Sequence, residues 1–231
     1  LVFASELKPI LACPGFDRKL NPDILPVFLY QQYIPEPDTI FEQVKKLCPG
    51  TILRFRLQPD NGQKKRECFS YWSIKESYQK GIADPVTDFS QARAELKAIL
   101  QKSVKSRMEA DVPLGTFLSG GYDSSLMTAM AQEASEAPVK TFSIGFEEKQ
   151  YDESGHASAV AKHLGTQHTE EIISEKQMLE LVESIPQYYD EPFADSSQIA
   201  TMLVSALAKR EVTVALSGDG GDEFYCGYNI Y

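Results

Sequence analysis

Residues 117–125 read Phe117-Leu118-Ser119-Gly120-Gly121-Tyr122-Asp123-Ser124-Ser125. An apolar run from Val112 to Leu118 leads into this stretch, and a helical pattern from Asp123 to about Ala137 leads out. The pattern predicts a strand, a tight Gly-Gly turn and a helix start in quick succession. The first turn of a helix has backbone N–H groups with no intrahelical partner, and the helix dipole adds partial positive charge there. Glycines let the loop backbone approach an anion closely, and successive N–H groups form a concave nest. Ser119, Ser124 and Ser125 add hydroxyl donors, while Asp123 accepts only and suits a hard cation such as Mg²⁺. The stretch reads as a phosphate cradle. The competing reading is a glycine-rich turn in which Asp123 or Ser124 is an ordinary helix N-cap.

Outward from this loop the chain alternates helix and strand. A helix is expected from about Ser90 to Met108, with Ala92, Leu96, Ile99, Leu100 and Val104 on one stripe. Strands follow at Val112–Leu118, Val139–Phe146, Gln167–Ile173 and Val212–Leu216. Helices are expected at Asp123–Ala137, Asp152–Leu164 (ended by Gly165), Glu175–Ser184 and about Ser197–Lys209. Ser174 and Gln177 make a capping box. Such alternation implies an α/β fold, an open doubly wound parallel sheet with helices on both faces.

If the four strands are ordered 3-2-1-4, strands 1 and 4 are neighbours although distant in sequence. Ligands bind beyond the carboxyl ends of such strands, at the switch point. Strand 1 ends in Ser119-Gly120-Gly121, and strand 4 ends in Ser217-Gly218-Asp219-Gly220-Gly221-Asp222-Glu223. Two glycine loops are therefore expected to face one pocket. The second loop carries three carboxylates, which is costly unless a cation neutralises them. Mg²⁺ bridging the phosphates of ATP meets that need. Taken alone, the second loop reads as an acidic surface turn.

The segment before this region is proline-rich and mostly β. Leu1–Glu6 is expected as a short strand, and Asn21-Pro22-Asp23 opens a short helix through Leu25, Val27, Phe28 and Leu29. Residues 33–41 read as a rigid extended stretch. Residues 51–57 alternate as a half-buried strand, Pro59-Asp60-Asn61-Gly62 signals a hairpin, and residues 67–72 return as its partner. Asp84-Pro85-Val86-Thr87-Asp88 reads as a linker. The pattern changes near residue 80, giving an N-terminal part over 1–80 and an α/β part over 81–231.

Composition narrows the function classes. Lys plus Arg number 23 against 33 Asp plus Glu, a net charge of −10, which argues against a nucleic-acid partner. The basic cluster Lys64-Lys65-Arg66 is too short to reverse that. No apolar run approaches a membrane span, and no signal peptide opens the chain. Cys13, Cys48, Cys68 and Cys226 show no C-x-x-C pairing, and His156, His163 and His168 lack neighbours at metal-site spacing. A reducing cytosol is the simplest compartment, and the histidines read as surface or helix-packing residues.

The loop is neither a Walker A sequence, for want of its lysine, nor the dinucleotide fingerprint. Ser-Gly-Gly-x-Asp-Ser resembles the PP-loop of N-type ATP pyrophosphatases. A longer set of motifs resembles glutamine-hydrolysing asparagine synthetase. It comprises residues 118–125, Thr141–Phe146, Tyr151-Asp152-Glu153, Asp190-Glu191-Pro192-Phe193-Ala194-Asp195 and Leu216–Glu223. Phe3–Lys8 and Cys48-Pro49-Gly50 are similar to the closing part of that family's glutaminase domain.

The resemblance implies that ATP activates a carboxylate, usually that of aspartate, as an acyl-adenylate with release of pyrophosphate. Ammonia derived from glutamine then attacks it. On matching positions it puts Leu118, Ile144, Ser217 and Gly218 around the nucleotide. Ser119, Gly120, Gly121, Ser124 and Ser125 take the phosphates, Asp123 and Asp222 magnesium, and Asp219 the formation of the adenylate. Asp190, Glu191 and Asp195 line the same cleft or cap helices. Tyr122 stands where the family has a small aliphatic residue, which gives weight to another acceptor, such as a sugar acid of a surface polysaccharide. A non-catalytic binding module is the third reading, and a homodimer is among the assemblies left open. Cys226 reads as a packing residue. The family's catalytic cysteine would precede Leu1 and its pyrophosphate-covering residues would follow Tyr231. The chain alone is expected to hydrolyse no glutamine and to bind ATP weakly at best.

Overall fold

A computed structural model describes residues 1–57, 64–148 and 152–228. Their contacts group into two units: Leu1–Asp88 with Pro186–Asp195, and Phe89–Ile185 with Ser196–Tyr231.

The first unit starts with α1 (Leu7–Leu11), a 3₁₀ turn (Pro22–Ile24) and α2 (Leu25–Gln31). Asn21 accepts a hydrogen bond from Asp23 N at 3.2 Å, so the helix opens as its Asn-Pro-Asp sequence suggests. An antiparallel pair, β1 (Thr51–Leu57) and β2 (Lys64–Ser70), is followed by α3 (Ile74–Ala83). The turn read at Pro59-Asp60-Asn61-Gly62 lies outside the described residues. Leu7, Ile24, Ile34, Ile40, Phe41 and Val44 form the core of this unit. One expectation fails here: Leu1–Glu6 is not a strand, because Leu1, Val2 and Phe3 are exposed and no strand pairs with them among the described residues. Helix α3 lies in a stretch that the sequence reading leaves unassigned, and Ser73, which accepts from Glu76 N at 3.4 Å, is its N-cap.

The second unit runs α4 (Phe89–Met108), β3 (Leu114–Phe117), α5 (Tyr122–Ala134), β4 (Lys140–Phe146), α6 (Ser154–Leu164) and β5 (Gln167–Ile173). It continues with α7 (Glu175–Val182), α8 (Ile185–Tyr188, which crosses into the first unit), α9 (Ser197–Ala208), β6 (Val214–Leu216) and α10 (Gly221–Tyr225). The sheet order is β5-β4-β3-β6, with every pairing parallel. This is the 3-2-1-4 order expected from the sequence. Thr116, Leu118 and Thr141 sit on the face covered by α5 and α6, and Phe117 and Phe142 pack toward α9. The central strands β3 and β4 are buried on both faces, whereas the edge strand β5 carries exposed polar residues.

The capping box at Ser174 and Gln177 forms, and Gly165 ends α6 with φ +71°. Strand β3 starts two residues later than expected, since Pro113 has no N–H to donate. Among the described residues no helix is long and apolar enough to cross a membrane.

Candidate active site: two glycine loops on adjacent strands

The turn from β3 into α5 depends on Gly120, whose φ is +88°. A Cβ there would lie 2.7 Å from both Ala157 N and His156 Cβ of α6, so only glycine fits. Gly121 occupies the N-cap position of α5, and no side chain caps that helix. The ordinary-cap reading of Asp123 or Ser124 therefore fails, and first-turn N–H groups are left for a ligand. The hydroxyls brace the loop: Ser119 Oγ lies 2.9 Å from Ser124 Oγ and accepts from Gly121 N at 3.3 Å. Ser124 Oγ in turn donates to Gly121 O at 3.2 Å. Ser125 Oγ is buried with no hydrogen-bond partner among the described residues. A buried orphan donor beside an uncapped helix start fits an anionic oxygen.

Leu118, expected beside a nucleotide, is fully buried against Ala157 and Ala161 of α6, and its N–H bonds Phe142 O at 2.9 Å. Its side chain is core. Ile144 is half-buried near the carboxyl end of β4.

Pairing of β3 with β6 brings the second loop alongside the first. A Cβ on Gly218 would lie 2.8 Å from Ser124 N and 3.1 Å from the Asp123 carbonyl carbon. A Cβ on Gly221 would meet the Asp123 carboxylate at 2.3 Å. Asp123 is thus enclosed by both glycines. Burial pushes its carboxyl up from the usual range, and the charges of Asp222 and Glu223 push it further. Ser217 Oγ donates to Asp219 Oδ2 at 2.9 Å. Asp222 sits against Gly227, whose N–H bonds the Asp222 carbonyl at 3.0 Å.

Among the described residues no group of three or more His, Cys, Asp or Glu side chains is arranged to hold a metal. Asp123, partly buried and raised by the charges of Asp222 and Glu223, is the group here that a hard cation such as Mg²⁺ would suit, with Asp222 as the second carboxylate.

A cavity of about 560 Å³ opens beside these loops. Asp123, Ser217, Gly218 and Asp219 form its polar side, and Val104, Met127 and Met130 are among its apolar walls. Arg107 also lines it, donating to Ser103 O at 3.1 Å, and sequence reading missed this residue. Its signal was the spacing with Leu100 and Val104 on one face of α4.

Asp190, Glu191 and Asp195, which the sequence reads as lining the cleft or capping helices, are all three grouped with the first unit. Asp190 accepts from Leu7 N at the start of α1, which is the capping alternative. Cys226 is exposed with φ +57° just past α10, so it is not a packing residue. His168 is neither on the surface nor on a helix. It stands on β5, with Nδ1 2.9 Å from Thr141 Oγ1 and Nε2 3.2 Å from Ser143 Oγ. Burial pushes it below the ordinary histidine range, against the opposing charge of Glu170.

Fold and loops together define an α/β domain with a glycine-rich loop and an uncapped helix start at its switch point. The chain belongs to the asparagine synthase family. A family model described as asparagine synthase matches residues 95–231, and one described as a glutamine amidotransferase domain matches residues 1–72. A putative glutamine-hydrolyzing asparagine synthetase of Methanocaldococcus jannaschii is 38% identical over 230 residues, covering 98% of this chain and 42% of its own length. Glutamine-hydrolyzing asparagine synthetase 1 of Bacillus subtilis is 35% identical over 230 residues, covering 99% of this chain and 34% of its own. The chain thus spans less than half the length of these relatives. A solved NMN synthetase of Francisella tularensis overlaps 61% of this chain and 59% of its own, at 20% identity and a TM-score of 0.42.

Proposed function

We propose that the protein carrying this chain is a glutamine-dependent ligase that uses ATP to convert the side-chain carboxylate of aspartate into an amide. The observation that carries the reading is the close approach of residues 217–221 to residues 123–124 at the head of an uncapped helix. A carboxylate oxygen of the acceptor attacks the α-phosphorus of ATP, and pyrophosphate leaves. Ammonia, released from glutamine by the amidotransferase part, attacks the acyl carbon, loses a proton, and AMP departs.

The N–H groups of α5 with Ser119, Ser124 and Ser125 receive the phosphates, whose charge develops during the first step. Backbone at Leu118, Gly120, Gly121 and Gly218, with Ile144 and Ser217, borders the nucleotide. Asp123 and Asp222 would hold Mg²⁺, which would supply neutralisation of the phosphate charge. Asp219, on the cavity wall, orients the acceptor for attack. One observation favours a second acceptor class such as a sugar acid: Tyr122 stands 96% exposed at the first position of α5, a large ring where the family has a small residue.

The test is pyrophosphate release by the intact protein with ATP, Mg²⁺ and ammonia, across aspartate and sugar acids. Aspartate-dependent release is expected, and Asp123→Ala or Asp219→Ala is expected to cut it by about 10²-fold or more. Acceptor-independent release, or full release by either variant, rejects the reading.

A further inference from the structure

Asp152 lies just before α6, and its half-buried carboxylate reaches back to the strand that precedes the helix. Its Oδ1 accepts from Ser154 N, in the first turn of α6, at 3.1 Å, and from Phe146 N, at the end of β4, at 3.4 Å. Gly145 makes the room for it, since a Cβ there would lie 2.8 Å from both Asp152 Oδ1 and Ser154 Cβ. Hydrogen bonds from the Ser154 hydroxyl and N–H hold the carboxyl below the usual carboxylate range, so it is ionised at neutral pH. One oxygen of a charged group thus joins the head of a helix to the end of a strand, and the helix dipole favours the charge there.

That helix head is the surface on which the first glycine loop rests. A Cβ on Gly120 would lie 2.7 Å from Ala157 N and from His156 Cβ, and 2.9 Å from the His156 carbonyl carbon. The first turn of α6 and the loop therefore meet without slack, and a shift of one displaces the other. Ala157 and Ala161 also close over Leu118, which leads into the same loop. The strand whose end the carboxylate holds carries Ile144. Helix α6 has a second tie to the sheet, Ser158 Oγ donating to Glu170 Oε2 at 2.7 Å, but that one is exposed and runs to the edge strand β5.

We propose that Asp152 is a positioning residue for the ATP site: it clips the head of α6 to the end of β4 and so fixes the backbone against which Gly120 turns. The inference rests on the reading of residues 118–125 as the phosphate cradle of an ATP-using ligase. It concerns the hold on the nucleotide and not on the acceptor.

The experiment uses the intact protein carrying Asp152→Ala, Asp152→Asn or Glu170→Gln. It measures thermal unfolding, the dissociation constant of ATP with Mg²⁺, and the KM of the acceptor that wild type amidates. Asp152→Ala is expected to weaken ATP binding about tenfold, on the scale of a lost charge-assisted hydrogen bond, while the acceptor KM stays within about twofold. Asp152→Asn keeps an oxygen for both N–H groups and is expected to return to within about threefold of wild type. Glu170→Gln also loosens α6, yet is expected to leave ATP binding within about twofold. If Asp152→Ala does not fold, Asp152→Ser carries the same prediction, since its hydroxyl still serves Ser154 N but is one bond too short for Phe146 N. A folded Ala or Ser variant that binds ATP like wild type, an equal weakening by Glu170→Gln, or no rescue by Asn overturns the clip. A wild type that binds ATP but releases no pyrophosphate with any acceptor overturns the amidation reading and leaves the clip standing. One that binds no ATP overturns both.

Discussion

Replacing Gly218 by alanine adds one methyl group where the two loops meet. The new Cβ would lie 2.8 Å from Ser124 N and 3.1 Å from the Asp123 carbonyl carbon, and both are backbone atoms that cannot rotate away. Reaching an ordinary contact of 3.4 Å from 2.8 Å requires the loops to part by about 0.6 Å. Overpacking of this kind costs about 1–3 kcal/mol. For a chain of this size each kcal/mol lowers Tm by roughly 2–4 °C. The same displacement moves the α5 N–H groups relative to Ser217, and a misplacement near 1 Å costs on the order of 10²-fold in rate. Gly218→Ala is therefore expected to melt lower and to lose at least about tenfold in pyrophosphate release. Gly155→Ala is the matched control. A Cβ there meets nothing within 4 Å, and alanine in α6 is expected to stabilise by up to about 1 kcal/mol. The assays are thermal unfolding of the chain and turnover of the intact protein. A Gly218→Ala chain that melts like wild type and turns over normally would refute the loop contact.

Two further outcomes follow from buried polar groups. Thr116 Oγ1 and Thr128 Oγ1 lie 3.1 Å apart and are both fully buried, so Thr116→Val is expected to cost about 1–3 kcal/mol in urea unfolding. The Thr116→Val/Thr128→Val double variant is expected to recover most of that, because neither site then keeps an unpaired hydroxyl; an additive loss would contradict the pairing. His168 is held below its ordinary value of 6.5, so the unfolded chain takes up its proton first. Stability of the second unit is thus expected to fall as pH drops through 6.5 toward the lowered value, by at most about 1.4 kcal/mol per pH unit, and to level off below it. His168→Gln is expected to flatten that slope, and an unchanged slope in the variant would assign it to other groups.

The α/β half was legible because its signals are local. Gly120 sits where a positive φ is needed, Gly165 ends α6, and the runs around Phe117 and Phe142 are apolar because both sheet faces are covered. The pairing of the loops was legible too, once the strand order was fixed by parallel pairing of β3 with β6. What was not legible depends on partners distant in sequence. Leu118 reads as loop-proximal, yet α6 buries it through Ala157 and Ala161. His168 reads as surface until the register of β4 against β5 sets Thr141 opposite it. Asp190 and Glu191 adjoin Pro192 and read as cleft or helix-capping residues, and which groups they hold was hidden because their donors lie 183 and 151 positions earlier. No local periodicity encodes such a contact. The apolar start Leu1-Val2-Phe3 misled in the opposite sense, since alternation without burial does not make a strand.

The divided first unit also constrains synthesis. Residues 89–185, 97 in number, separate Asp88 from Pro186. A ribosome adding about 5–20 residues per second therefore spends roughly 5–20 s between finishing residue 88 and delivering residues 186–195. Throughout that interval Lys8 and Lys46 of the nascent polypeptide lack Asp190 and Glu191, the carboxylates they meet in the finished fold. The first unit therefore closes only after the sheet of the second has been synthesised up to β5.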